Sequence, residues 1–161
     1  NPDSEIEDFC ILNTGAQLEH NCFMGEFSHL SAGSITGGKV RIGKFSAITL
    51  NVTIIDRLNI GENTVIAAQC GISGSTKLGK SVMMGGQAGA SGHLLVADGV
   101  KIAARSGLTK SIKQANLVVT GYPAGEHGAT LRTQIQVKNL PLLEKRVKEL
   151  EILVQQLAQK G

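Results

Sequence analysis

Hydrophobic positions recur every six residues along most of the chain. Counting in sixes from Ile6 gives Leu12, Leu18, Met24, Leu30, Thr36, Ile42, Ile48, Ile54, Ile60, Ile66, Ile72, Leu78, Met84, Ala90, Val96, Ile102 and Leu108. Sixteen of these eighteen positions are Leu, Ile, Met or Val, without an insertion, and the register stops at Gln114. Two residues before each aliphatic stands a mostly small side chain, as at Cys10, Cys22, Ser28, Ser34, Thr76 and Ser106. One residue after it Gly is frequent, as at Gly25, Gly37, Gly43, Gly61, Gly79 and Gly85. Neither an α-helix nor a long alternating strand sustains a period of six. The pattern predicts a solenoid of short strands, with an aliphatic and a small side chain pointing inward and Gly easing each bend.

Hexapeptide repeats mark parallel β-helices. Three hexapeptides make a triangular coil of eighteen residues, so residues 6–113 predict six coils. At about 4.8 Å per coil the prism stands roughly 29 Å tall. Residues 114–128 read as an exit loop that closes the last coil. A short helix is expected over 129–138. From Leu140 the spacing becomes 3-4-3-4-3 through Leu143, Val147, Leu150, Val154 and Leu157, a heptad seam whose helix Pro141 would start. The expected organisation is therefore a β-helix over 1–113, the exit loop, and a helical tail over 129–161.

Composition fits a core of small and aliphatic side chains. The 161 residues are 42% hydrophobic but only 3% aromatic, with no Trp and 20 Gly. No apolar run is long enough to span a membrane. The chain starts at Asn1 without Met or a signal peptide and reads as a fragment of a cytoplasmic protein. Charge is uneven: residues 1–38 hold six acids and no Lys or Arg, while 39–113 hold ten bases against three acids. An anionic ligand would prefer the middle of the molecule. Nucleic acid is disfavoured, because there is neither a basic run nor an aromatic platform. Cys10, Cys22 and Cys70 all fall on the inward small position and read as buried thiols. Phe9, Phe27 and Phe45 are eighteen apart and should stack along one corner, with Asn63 next in the column.

The coil geometry also sorts the histidines. His20 and Gly38 are eighteen apart and stack on one edge. His29 lies half a coil from His20 and faces another side, so the two could share a site only where two chains meet. A three-fold arrangement of prisms provides three such clefts. His93 lies four coils and one residue beyond His20, roughly 19 Å along the same groove. That gap argues against a metal site, since a zinc ion needs its ligands within about 2.1 Å.

Two resemblances follow from these residues. The segment GAQLEHNCFMGEFSHLSAGSITGGKVRIG, extended to Gln69, resembles the acetyl-CoA-dependent acetyltransferases of nucleotide-linked amino sugars and sialic acids. From Gly61, IGENTVIAAQCGISGSTKLGKSVMMGGQAGASGH through NLPLLEKRVKELE resembles the UDP-3-O-acylglucosamine N-acyltransferase of lipid A synthesis. The motif Gln17, Leu18, His20, Asn21 suits both. The second family lacks the 36 residues, two whole coils, that here separate the motif from its IGENTVIAAQ-like segment. The in-register junction fits either an engineered hybrid or an unusual natural relative.

These resemblances imply an all-β, left-handed parallel β-helix with C-terminal helices, assembled as a homotrimer. They imply a thioester donor, acetyl-CoA or a hydroxyacyl-acyl carrier protein, with no permanent cofactor, and a nucleotide-linked amino sugar as acceptor. His20 takes the role of general base beside Asn21. His29, Gly38, His93 and Tyr122 become donor- or acceptor-binding candidates, with a backbone N–H near Gly38 as oxyanion donor. Arg132, Lys138, Lys145, Arg146 and Lys148 become candidate contacts for an acidic carrier protein. The competing expectation is a catalytically weak or inactive trimeric β-helix scaffold, because both families usually place a sugar-binding domain before the repeat.

Overall fold

The computed structural model describes residues 1–158. It forms two units, residues 1–126 and a helical unit from His127. The first is a parallel β-helix with three faces, each a ladder of two-residue strands. The first face starts at Glu5–Ile6 and Phe23–Met24, the second at Ile11–Leu12 and His29–Leu30, and the third at Ile35–Thr36 and Thr53–Ile54. Strands in register are eighteen residues apart, as in Glu5 with Phe23 and Arg41 with Asn59.

The inward positions are those of the six-residue pattern. From Leu18 to Leu108 every one is buried, including its two exceptions, Thr36 and Ala90. Ile6 and Leu12 are 49% and 41% exposed, on the uncovered side of the first coil. The small inward residue does more than fill space. Ser46 Oγ donates to the Gly61 carbonyl at 3.0 Å and accepts from the Thr64 N–H at 3.1 Å. Cys10, Ser28, Thr64, Cys70 and Thr76 repeat the first bond fifteen residues ahead. A hydroxyl or thiol here satisfies a turn carbonyl that would otherwise be buried without a partner.

The bends are made differently from the expectation that Gly eases them. Positive φ falls three residues after each aliphatic, in every hexapeptide from Asp3 to Arg105, and mostly on residues other than Gly. The N–H of each such residue from Asn21 onward donates to the coil below, as Lys39 does to the His20 carbonyl at 2.9 Å. These inter-coil bonds offset the strain of the left-handed conformation. The frequent Gly after the aliphatic has another cause. A Cβ at Gly61 would lie 2.6 Å from the Lys80 backbone nitrogen, so only Gly lets the coils close.

The solenoid runs past residue 113. Ile112 bridges to Val96, sixteen residues back, and Lys101 pairs with Val118, seventeen ahead. The last coil is therefore short by one or two residues. Ile112 packs against the core and Val119 is buried in it, which is why Gln114 breaks the register. Gly125–Glu126 then pairs antiparallel with Val118–Thr120.

The tail corrects the expectation of two helices. Among the described residues it is one helix, His127–Ala158, with Pro141 inside it. Pro141 removes one backbone donor and crowds the carbonyl four residues earlier, which strains a helix without necessarily ending it. None of its residues is buried, and the seam Leu140, Leu143, Val147, Leu150, Val154 and Leu157 is exposed. No helix among the described residues is long and apolar enough to cross a membrane.

Candidate active site

His20 sits at the corner where the chain turns from the third face to the first. Asn21 takes the left-handed conformation there, φ 58°, which Asn tolerates well. Its amide oxygen lies 2.9 Å from His20 Nδ1. With the amide oxygen facing the ring, the neutral tautomer that pairs with it carries its proton on Nδ1 and leaves the lone pair on Nε2. The imidazole is exposed and lies against Gly38 on the next coil. A Cβ on Gly38 would fall 2.5 Å from Nε2, so this Gly is the floor on which the ring rests.

The Gly38 N–H corrects the expectation of an oxyanion donor at this point. It donates to Asp56 Oδ1 at 3.1 Å, and the flanking N–H groups of Gly37 and Lys39 bond to the Ile54 and His20 carbonyls. The N–H groups of Gly37, Gly38 and Lys39 are therefore occupied, and Gly38 serves the ring. Sequence spacing showed that Gly38 stacks on His20. It could not show Asp56, another eighteen residues along, capping the same turn.

His29 lies on the second face, half-buried, with Nε2 3.5 Å from Ser31 Oγ. It does not share a face with His20. His93 occupies the left-handed position of the His20 corner, φ 61°, at the height of Asn21 plus four coils. Tyr122 lies exposed against Gly107 and closes one end of a groove of about 440 Å³ on the third face. The floor of that groove is Gly71, Gly89 and Gly107, whose missing side chains leave the strands bare. In the tail, Lys145 and Lys148 pair with Glu149 and Glu144 at 3.9 and 2.9 Å, whereas Arg132, Lys138 and Arg146 are in none of the ion pairs found among the described residues.

No protein-family model matches the chain. Among solved structures, a hexapeptide transferase family protein from Anaplasma phagocytophilum aligns over 89% of this chain and 91% of its own, with a TM-score of 0.66 and 19% identity. The fold is that of the hexapeptide-repeat transferases. The same fold aligns with AntD, an N-acyltransferase from Bacillus cereus solved as a mutant with dTDP-4-amino-4,6-dideoxyglucose and coenzyme A. That match covers 83% of this chain and 92% of the other, at a TM-score of 0.67 and 16% identity. UDP-N-acetylglucosamine O-acyltransferase from Moraxella catarrhalis aligns over 78% and 74%, at 0.53 and 16%. At these identities the likeness is one of hexapeptide-repeat architecture.

Proposed function

We propose that the protein is an acyltransferase that moves an acyl group from a thioester to the amino group of a nucleotide-linked amino sugar. The observation that carries this reading is the His20 arrangement, a base with its tautomer held by Asn21 and its free nitrogen over a bare glycine. His20 Nε2 takes a proton as the amine nitrogen attacks the thioester carbon. The tetrahedral adduct then collapses, the C–S bond breaks, and the imidazolium returns its proton to the departing thiolate. The products are an amide and a free thiol. An imidazole suits this because its pKa lies near neutral pH.

The assembly that serves this chemistry is a homotrimer, in which His29 of one copy faces the His20 corner of its neighbour across the cleft. The exposed seam from Leu140 to Leu157 supports it, because six apolar residues at heptad spacing call for a partner helix. The donor is coenzyme A-bound or carrier-bound. A carrier would meet Arg132, Lys138 and Arg146 before the tail lysines already paired with glutamates. Thioester turnover with an amino-sugar nucleotide, measured on the parent and on His20→Ala, tests the reading. A His20→Ala protein as active as its parent would falsify it.

A further inference from the structure

Two neighbouring corners of the prism treat charge in opposite ways. Where the first face meets the second, charges alternate up the column as Glu26, Lys44, Glu62, Lys80 and Asp98. Lys44 bonds Glu26 at 2.7 Å and Lys80 bonds Glu62 at 3.1 Å. At the His20 corner the column reads Asn21, Lys39, Arg57, Ser75 and His93, with like charges stacked one coil apart. On the adjoining first face Arg41, Asn59 and Lys77 continue it in register. None of the ion pairs found among the described residues involves Lys39, Arg41, Arg57 or Lys77. Asp56, the nearest acid on that corner, is turned to the Gly38 N–H. Arg41 is held with its guanidinium 4.3 Å from the centroid of the Phe23 ring, which leaves its edge donors open. Stacked like charges disfavour the folded state, and from Glu26 upward the other corner avoids them, with Asp8 one coil below Glu26 as its exception.

We propose that Lys39, Arg41 and Arg57 bind the pyrophosphate of the nucleotide-linked acceptor on the prism itself, immediately above His20. This rests on the acyl-transfer reading of that site and names where the acceptor's charge is held. Distances favour the acceptor over the donor. In a nucleotide-linked amino sugar four to six bonds separate the amine from the nearer phosphorus, about 5–7 Å at the reach of an extended chain. In coenzyme A about thirteen bonds separate sulfur from the first phosphorus, roughly 16 Å. Lys39 and Arg57 stand one and two coils above His20, about 5 and 10 Å. A thioester carbonyl at His20 would place the coenzyme phosphates about three coils up, beyond Arg57. The pyrophosphate takes charge-assisted bonds from the two guanidinium forks and the ammonium, and the sugar turns its amine down to Nε2.

The test is calorimetric titration of the full chain at low salt with UDP, a nucleoside diphosphate without a thiol arm, and separately with coenzyme A. A Lys39→Gln/Arg57→Gln variant should fold as its parent, because Gln69 and Gln87 hold the same left-handed position on other coils. Its UDP affinity should fall about tenfold or more while coenzyme A binds within twofold of the parent. His20→Ala should bind UDP as the parent does and lose turnover, which separates this proposal from the catalytic one. A parent that binds no UDP at millimolar concentration, or a variant that binds it unchanged, overturns the proposal. So does loss of coenzyme A binding with UDP unaffected, which would assign the stripe to the donor. Equal losses for both would reduce it to non-specific charge and overturn it as well.

Discussion

The charge-ladder corner and the His20 corner are built from the same hexapeptide and differ in what fills it. At the first, glycines let backbones touch, acids and bases alternate, and Phe9, Phe27 and Phe45 stack with ring centroids 4.8 and 5.3 Å apart. Each feature links one coil to the next. At the second, glycine makes room for an imidazole and an Asn faces the ring. Its stacked cations form no ion pair among the described residues, because the neighbouring Asp56 is turned to the Gly38 N–H. Those features add little to cohesion and aim polar groups outward. A repeat that is stable everywhere else can carry one corner arranged for chemistry.

The largest expected effect is at that second corner. His20→Ala should lower turnover by about 100-fold or more, the usual loss when a positioned base is removed. Its melting temperature should stay with the parent, since an exposed edge side chain contributes little packing. A melting shift as large as the activity loss would mean the two corners are not separable. A matched pair of glycine substitutions sharpens the contrast. At Gly38→Ala the new Cβ meets only the His20 ring, which can swing away, so the fold should hold while activity drops by roughly 10- to 100-fold. At Gly61→Ala the Cβ meets the backbone of Gly79 and Lys80, which cannot, and stability should fall by about 1–3 kcal/mol. Thermal melts and turnover on both variants check this, and equal melting temperatures would break the comparison.

The period of six made the inward residues, the coil length and the phenylalanine column legible, because each depends only on a residue's position within the repeat. Three features were out of its reach. The purpose of Gly61 depends on the distance between backbones of successive coils, which no hydrophobic pattern reports. The occupation of the Gly38 N–H depends on Asp56, where a single carboxylate carries no periodic signal. Ile112 and Val119 were missed because the final coil is shorter, and a fixed register cannot follow a deletion. Pro141 misled for a related reason: its local preference for a helix start was overridden within a longer helix.

Exchanging charge between the corners should give smaller, opposite effects. Lys39→Glu places an acid one coil below Arg57, as at the other corner, and should raise stability by about 0.3 kcal/mol, the size of an exposed pair. The same change should weaken UDP binding. Lys44→Glu sets an acid among Glu7, Glu26 and Glu62 and should lower the melting temperature slightly, an effect that high salt removes. Both variants shifting stability in one direction would show that the corners do not differ in their charge logic.

The smallest effect is a loss of stability at high pH that arises away from the His20 corner. The hydrogen bond that the Lys44 ammonium donates to Glu26 holds it above its usual 10.5, reinforced by the charges of Glu26, Glu7 and Glu62. Burial holds the Cys70 thiol above its usual 9.0. In both cases the folded value exceeds the unfolded one, so the contribution is whole below the unfolded value and is lost as pH rises through the folded one. Denaturant melts from about pH 8 upward should show stability declining first as unfolded Cys70 ionises and further as Lys44 loses its proton. Cys70→Ser keeps a donor to the Gly85 carbonyl, as Ser46 does to Gly61, and should remove the first part of the decline without weakening the protein at neutral pH. Lys44→Gln should remove the second. If Cys70→Ser declines as its parent does from about pH 9, then the thiol ionises inside the prism, and the coils are less tightly closed than their hydrogen bonds require.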